Sequence, residues 1–284
     1  MNFYTRIEKI IYKIIKKSQI KDKIYETITS DIYNKNKTFE KKMFFLSQLI
    51  QSNLSCPQPD PHHNKTFISN KLSKYIKNRF SSSTSCSVSE LTIVDIGGGN
   101  GQMLREIGEN LKIPKDNLFC VEPIVPWTHP YPFSNSKHLQ YVFWDNDTIP
   151  VVQPLSIDVV IIAVTLHHMS DSVIHKTFEN LKRIMKPMSI LIIKEHDCKT
   201  REDKLIIDWE HHLYHLIESP LQGEENIEKY KEKFINNYKS KQQWTDIIEC
   251  YGYEPIIELN RLFERNIDSI NPTNLYWRIY ILSS

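Results

Sequence analysis

The sequence predicts an α/β chain: a seven-stranded, mostly parallel doubly wound sheet whose last strand is antiparallel, preceded by an N-terminal helical extension. Three observations lead there. The run Leu91 to Gly101, LTIVDIGGGNG, ends an apolar segment near an acid and then crowds glycines at Gly97, Gly98, Gly99 and Gly101. The whole chain has only seven glycines, so this density marks a place where backbone must turn at positive φ or lie bare against a ligand. From Leu91 onward, short Val/Ile-rich runs alternate with amphipathic helical patterns, as in a parallel sheet. Before it, residues 1–80 read as helices, with Ile7, Ile10, Ile11, Ile14 and Ile15 on one stripe beside Lys9, Lys13, Lys16 and Lys17.

A chain of 284 residues suggests about two domains. The expected division is a basic helical extension or lid over 1–85 and a main domain over 86–284, interrupted by a helical insertion at about 199–240. Hydrophobic content of 40% and charge of 25% describe an ordinary globular protein. No apolar run nears the ~18 residues of a bilayer span. The five cysteines are scattered without a C-x-x-C, which fits a reducing, cytoplasmic setting and argues against a cysteine zinc site. Net charge is +2 but lopsided: residues 1–85 hold 16 Lys/Arg against 6 Asp/Glu, and the rest 20 against 28. The basic third fits an anionic partner such as nucleic acid, or a lysine-rich solvated face. The isoleucine stripe fits packing on the rest of the protein, or a membrane-surface or transit helix, the last opposed by Glu8 and Asp22.

In order, helices are expected at Asp22–Tyr33 and Thr38–Gln51, a proline-broken loop at Cys56–Asn64, and a helix carrying Phe67, Leu72, Tyr75, Ile76 and Phe80. SSSTSCSVSE links it to the main domain. After the glycine turn a helix starts near Gln102, with Leu104, Ile107 and Leu111 on one face. The second strand, Leu118–Pro123, ends at Glu122, 21 residues beyond Gly101, near the spacing at which a strand-end carboxylate meets ribose hydroxyls. A loop with Trp127, Tyr131 and Phe133 covers the sheet edge or lines a pocket. The third strand lies in Tyr141–Pro150, the fourth opens at Asp158, and the fifth is Ser189–Asp197, after a helix ending in ENLKRIMKP. A long helical stretch, Arg201–Lys239, and a helix stopped by Gly252 precede a closing hairpin ending at Asn274–Leu282.

The dinucleotide fingerprint G-x-G-x-x-G fails, because its third glycine would fall at Gln102 or Leu104, and no G-K-S/T phosphate loop follows. What stands is D-x-G-x-G-x-G, at Asp95, Gly97, Gly99 and Gly101, and it resembles the first motif of the class I S-adenosylmethionine-dependent methyltransferases. The order D-V-V…L-H-H-M-x-D…L-K-R-I-M-K-P…L-I-I-K-E-H is similar to the later motifs of that family, and the resemblance covers about Leu91 to Leu282. It departs after K-P, where Met188 and Ser189 replace the usual glycines. The resemblance implies S-adenosyl-L-methionine as cofactor, held by Asp95, Gly97, Gly99 and Gly101, with Glu122 on the ribose and Asp145 on the adenine amino group, Trp144 or Asn146 packing on that ring. It also implies that an N-terminal helical segment forms a lid.

Methyl transfer from a sulfonium is an in-line displacement, so alignment supplies much of the catalysis. A base matters when the acceptor must lose a proton. The carboxyl edge of the central strands makes His167, His168, Glu195 and His196 the candidates. Asp208, His211 and Tyr214, at one-turn spacings, close over the acceptor or form a polar helix face. His211, His212 and His215 lack the glutamate of H-E-x-x-H, and no metal is expected. The Lys-Asp-Lys-Glu tetrad of ribose 2′-O enzymes lacks its strand-four acid here, since Ala163, Val164 and Thr165 occupy that exit. L-H-H resembles the L-H-Y of cap guanine N7 enzymes. RNA bound through the basic third is therefore one acceptor; a small molecule or a protein is allowed too, as is a non-catalytic subunit serving a partner protein.

Overall fold

The computed structural model describes residues 6, 30, 34, 36–38, 41–42, 45, 65–81, 87–123, 139–144, 152–218, 234–258 and 273–283. Most of the helices expected before residue 65 lie outside these, as do the Cys56–Asn64 loop, the aromatics Trp127, Tyr131 and Phe133, and Asp145 with Asn146. The chain divides into two compact units, residues 63–197, 237–269 and 275–284, and residues 1–62, 198–236 and 270–274.

The first unit holds the sheet, with strands β1 (Ile93–Ile96), β2 (Leu118–Pro123), β3 (Gln140–Trp144), β4 (Ile157–Ala163), β5 (Met185–His196), β6 (Tyr253–Glu258) and β7 (Leu275–Leu282). Their spatial order is 3-2-1-4-5-7-6. β1 pairs in parallel with β2 on one side and β4 on the other, and β7 runs antiparallel to both β5 and β6. The doubly wound sheet with an antiparallel last strand is thus as expected. The strand order reverses between β1 and β4, the crevice where α/β sheets bind ligands.

Both faces of the central strands are covered, which is why they read as continuous Val/Ile runs. On one face Val94, Ile96, Val160, Ile162, Leu191 and Ile193 pack with Ile174, Phe178 and Leu181 of a helix over Asp171–Ile184 and with Trp244 and Ile248 of another over Lys241–Cys250. On the other, Ile93, Val159, Ile161, Ile190 and Ile192 pack with α1 (Lys65–Ser81), through Leu72, Ile76 and Phe80, and with α2 (Gln102–Leu111), through Met103, Leu104, Ile107 and Leu111. The Asp171–Ile184 and Lys241–Cys250 helices are α3 and α5; α4 is described below.

Two local expectations are corrected. α3 stops at Ile184, so Met185, Lys186 and Pro187 begin β5 instead of ending the helix. Pro187 has no N–H to continue a helix, and it steers Lys186 out of the α region. The pairing of β4 with β5 then jumps from Ile157–Met185 to Val159–Ile190, and Met188 sits in the intervening bulge at φ 65°. The backbone here takes the left-handed turn that a glycine would favour, and the methionine side chain stands exposed. Lys186 fastens the bulge to Asp158, at 2.8 Å. Residues 234–240 are irregular, so the helical stretch expected to reach Lys239 does not.

The second unit contains α4 (Arg201–Glu218), with Ile206, Ile207 and Trp209 buried. Asp203 Oδ2 accepts from the Lys199 and Thr200 N–H groups, and Thr200 Oγ1 accepts from the Asp203 N–H, which closes the first turn. Arg6 Nη1 and Asn274 Nδ2 donate to Asp203 Oδ1, at 2.8 and 3.0 Å. Among the described residues no helix is long and apolar enough to cross a membrane.

Candidate active site

β1 ends in a turn built from bare backbone. Gly97, Gly99 and Gly101 have φ of 69°, 62° and 65°, and the Gly97 N–H donates to the Val121 carbonyl of β2 at 2.8 Å. A Cβ at Gly97 would lie 2.3 Å from Thr165 Oγ1, so loop and β4 exit are in direct contact. A Cβ at Gly98 would meet Asp95 Oδ2 and Cys120 Sγ at 2.7 Å, which makes this glycine a steric requirement too. A Cβ at Gly99 meets no atom of the described residues within 4 Å. Glu122, at the end of β2, accepts from the Gly99 N–H.

Asp95 lies beneath this turn, fully buried, and among the described residues neither carboxylate oxygen has a hydrogen-bond partner. Burial, reinforced by the charge of Glu122 and opposed by that of Lys65, pushes its pKa up to about 8. An orphaned buried carboxylate is costly, and an ammonium group from a ligand would satisfy it. Burial likewise raises the Glu122 pKa, against the Gly99 N–H and the charge of Lys65.

The carboxyl edge of β4 and β5 carries the second cluster. After Ala163 the chain turns through Val164 at φ 60° into a 3-10 turn, Leu166–His168. Glu195 on β5 is fully buried; its Oε1 accepts from the Thr165 and Leu166 N–H groups at 3.1 and 2.8 Å. Its Oε2 stands 2.6 Å from Nδ1 of His167, also fully buried. On the other side, Asn237 donates from its N–H to the His167 carbonyl and from Nδ2 to the Met169 carbonyl, at 2.8 and 3.1 Å. The His167 ring centroid lies 4.1 Å from that of His168, 5.2 Å from His196 and 5.2 Å from Tyr238.

Burial, with the charges of His168 and His196, holds the His167 pKa well below its ordinary value. Burial raises that of Glu195, opposed by the two histidines and by the Leu166 and His196 N–H groups. A neutral imidazole facing a carboxylate donates from Nδ1 and keeps its lone pair on Nε2. The four residues expected at this edge therefore meet, although Glu195 is engaged in holding the loop and the His167 ring.

Trp144 is buried in the core cluster beneath β3. Asp208 and His211 stand on α4 in the other compact unit, where His211 Nδ1 faces the Ile207 carbonyl at 2.9 Å and its ring packs 5.7 Å from Phe234. Tyr214 is on the same helix, its side chain outside the described residues. Gly98, Cys120, Thr165, Asn237 and Lys65 belong to the two clusters without having been expected there. Only Gly98 left a trace in the sequence, as the middle of the glycine run.

A 3-2-1-4-5-7-6 sheet, with a glycine turn after β1 and strand-end acids beside it, defines a class I S-adenosylmethionine-dependent methyltransferase. The chain belongs to the methyltransferase-domain family, whose model matches residues 61–259. No curated protein matches the chain in sequence. Similar solved structures include an S-adenosylmethionine-dependent methyltransferase from Aquifex aeolicus, 15% identical over 87% of this chain and 100% of that one, TM-score 0.47. Others are the methyltransferase CalH in complex with S-adenosylhomocysteine (13%, 96% and 69%, TM-score 0.48) and a Haemonchus contortus phosphoethanolamine N-methyltransferase (12%, 89% and 60%, TM-score 0.45).

The buried Asp95 fits the cofactor's ammonium, and the open backbone at Gly99 leaves room beside it. One consequence is measurable without an acceptor. Because Asp95 has a folded pKa of about 8 against an ordinary 3.8, the folded ligand-free protein holds a proton that the unfolded chain releases. This group's contribution to stability is full below pH 3.8 and is lost as pH rises toward 8. Thermal unfolding of the ligand-free protein across that range is expected to show the loss, and Asp95→Asn to remove it.

Proposed function

We propose that this methyltransferase acts on a nucleophile that must lose a proton, a hydroxyl or protonated amine, with the imidazoles at the edge of β4 and β5 receiving that proton. The observation that carries the reading is the buried His167–Glu195 pair at 2.6 Å. Asp95, Gly97, Gly99, Gly101, Glu122 and Asp145 are assigned to the cofactor. S-adenosylmethionine supplies an activated methyl group on a sulfonium. His167 is assigned as base through Nε2, Glu195 as the group that fixes its tautomer, and His168 and His196 as lining of the acceptor site.

RNA is the acceptor class that one observation favours, the excess of 16 basic over 6 acidic residues in 1–85. The deciding experiment offers labelled S-adenosylmethionine with RNA, protein and small-molecule pools, each across salt concentrations. Transfer to RNA is expected, weakening steeply with salt. Replacing Lys9, Lys13, Lys16 and Lys17 by glutamine is expected to flatten that dependence by roughly 0.7 in log–log slope for each phosphate left without its lysine. Exclusive transfer to protein or to small molecules would refute the RNA assignment. Truncation at residue 85 is not a usable test, because it removes α1 from the core.

A further inference from the structure

The cofactor's methionine end is a zwitterion, and the groups so far placed around the glycine turn answer only its positive half. Asp95 and Glu122 are both acids, so a ligand carboxylate entering beside them meets repulsion unless a cation stands near. The turn itself, residues 97–101, carries no basic side chain.

The cation comes from outside the expected motifs. Lys65 opens α1, and its Nζ donates to Asn100 Oδ1 in the turn, at 3.2 Å. Asn100 Oδ1 also accepts from the Gln102 N–H at the start of α2, at 3.2 Å, so the lysine is docked where turn becomes helix. The start of α1 is held there by further contacts: Thr66 Oγ1 donates to Glu106 of α2 at 3.0 Å, and Asn110 Nδ2 donates to Asn70 at 2.9 Å. Burial raises the carboxyl and thiol pKa values of Asp95, Glu122 and Cys120, and in each case the charge of Lys65 opposes it. One ammonium therefore opposes burial at all three of these groups.

We propose that Lys65 binds the α-carboxylate of the cofactor's methionine moiety, as the positive half of a clamp whose negative half is Asp95. This rests on the assignment of the glycine turn as the cofactor site. Lys65 is a binding residue here, and it touches none of the reacting atoms. Its support is rigid, because the same helix buries Leu72, Ile76 and Phe80 in the core.

The test compares S-adenosylhomocysteine with its decarboxylated analogue, which keeps the ammonium and lacks the carboxylate, by titration calorimetry on the full chain. Wild type is expected to prefer S-adenosylhomocysteine by about 10–100-fold, the range of a charge-assisted contact. That preference is expected to vanish in Lys65→Ala and in Lys65→Met, and to survive in Lys65→Arg, with thermal unfolding showing all three folded. An undiminished preference in both neutral variants, or no preference in wild type, would overturn the proposal. Binding of neither ligand by wild type would instead overturn the assignment of the cofactor site.

Discussion

Glutamine at Glu195 is expected to lower kcat by about 10²–10⁴-fold, the usual worth of a positioned general base, while S-adenosylhomocysteine binding stays unchanged. The amide oxygen can still accept from the Thr165 and Leu166 N–H groups, as Oε1 does at 3.1 and 2.8 Å. Those two donors fix which way the amide turns, so its NH₂ faces His167 Nδ1 across 2.6 Å. Nδ1 must then accept, the ring proton moves to Nε2, and the lone pair assigned to the acceptor's proton is gone. The same exchange in the buried carboxylate–imidazole pair of serine proteases costs about 10⁴ through the wrong tautomer. Wild-type turnover by Glu195→Gln would remove His167 from the role of base. The pH profile is a second check: with the His167 pKa held below 6.5, the acid limb of kcat should fall below that value. Alanine at the same position serves as a contrast, because it orphans the buried Leu166 N–H, costing about 1–3 kcal/mol, and the partly buried Thr165 N–H, and is expected to destabilise the fold.

Alanine at Gly97 is expected to cost about 2–5 kcal/mol of stability and to abolish cofactor binding. Two penalties add. The residue has φ 69°, where a Cβ is disfavoured, and that Cβ would lie 2.3 Å from Thr165 Oγ1 and 2.9 Å from Thr165 Cβ. Thr165 has little freedom to yield, since its N–H is fastened to Glu195. The strain therefore passes from the glycine turn to the histidine loop. Gly99→Ala and Gly252→Ala separate the causes. Both positions have positive φ and no atom of the described residues within 4 Å of the new Cβ, so each should lose only the conformational part, about 1–2 kcal/mol. Gly99→Ala should weaken cofactor binding, and Gly252→Ala should leave it intact. Equal binding losses at Gly99 and Gly252 would place the ligand elsewhere.

Much of this protein was legible in short windows of chain. The apolar runs of β1, β2, β4 and β5, the amphipathic period of α2 and the glycine crowding after Asp95 are each set by neighbours a few residues apart. Their order along the chain is enough to specify a doubly wound sheet with a glycine turn after its first strand. The same windows named Asp95 and Glu122, because strand-end acids follow from spacing. They misplaced the end of α3, where Pro187 overrides a helical pattern, and they left unforeseen that Met188 would take the left-handed turn where a glycine is usual.

Pairings between distant parts of the chain were out of reach of such reading. That Glu195 would be occupied by Thr165, Leu166 and His167, some 30 residues away, depends on how far β5 slides along β4, and a bulge at Met188 sets that register. Lys65 looked like one lysine among many in a basic stretch. Its place beside Asn100, 35 residues on, follows from α1 burying Leu72 and Ile76 against the sheet. Local sequence carries propensity and spacing, whereas the partner of a buried charge is chosen by packing across the sheet.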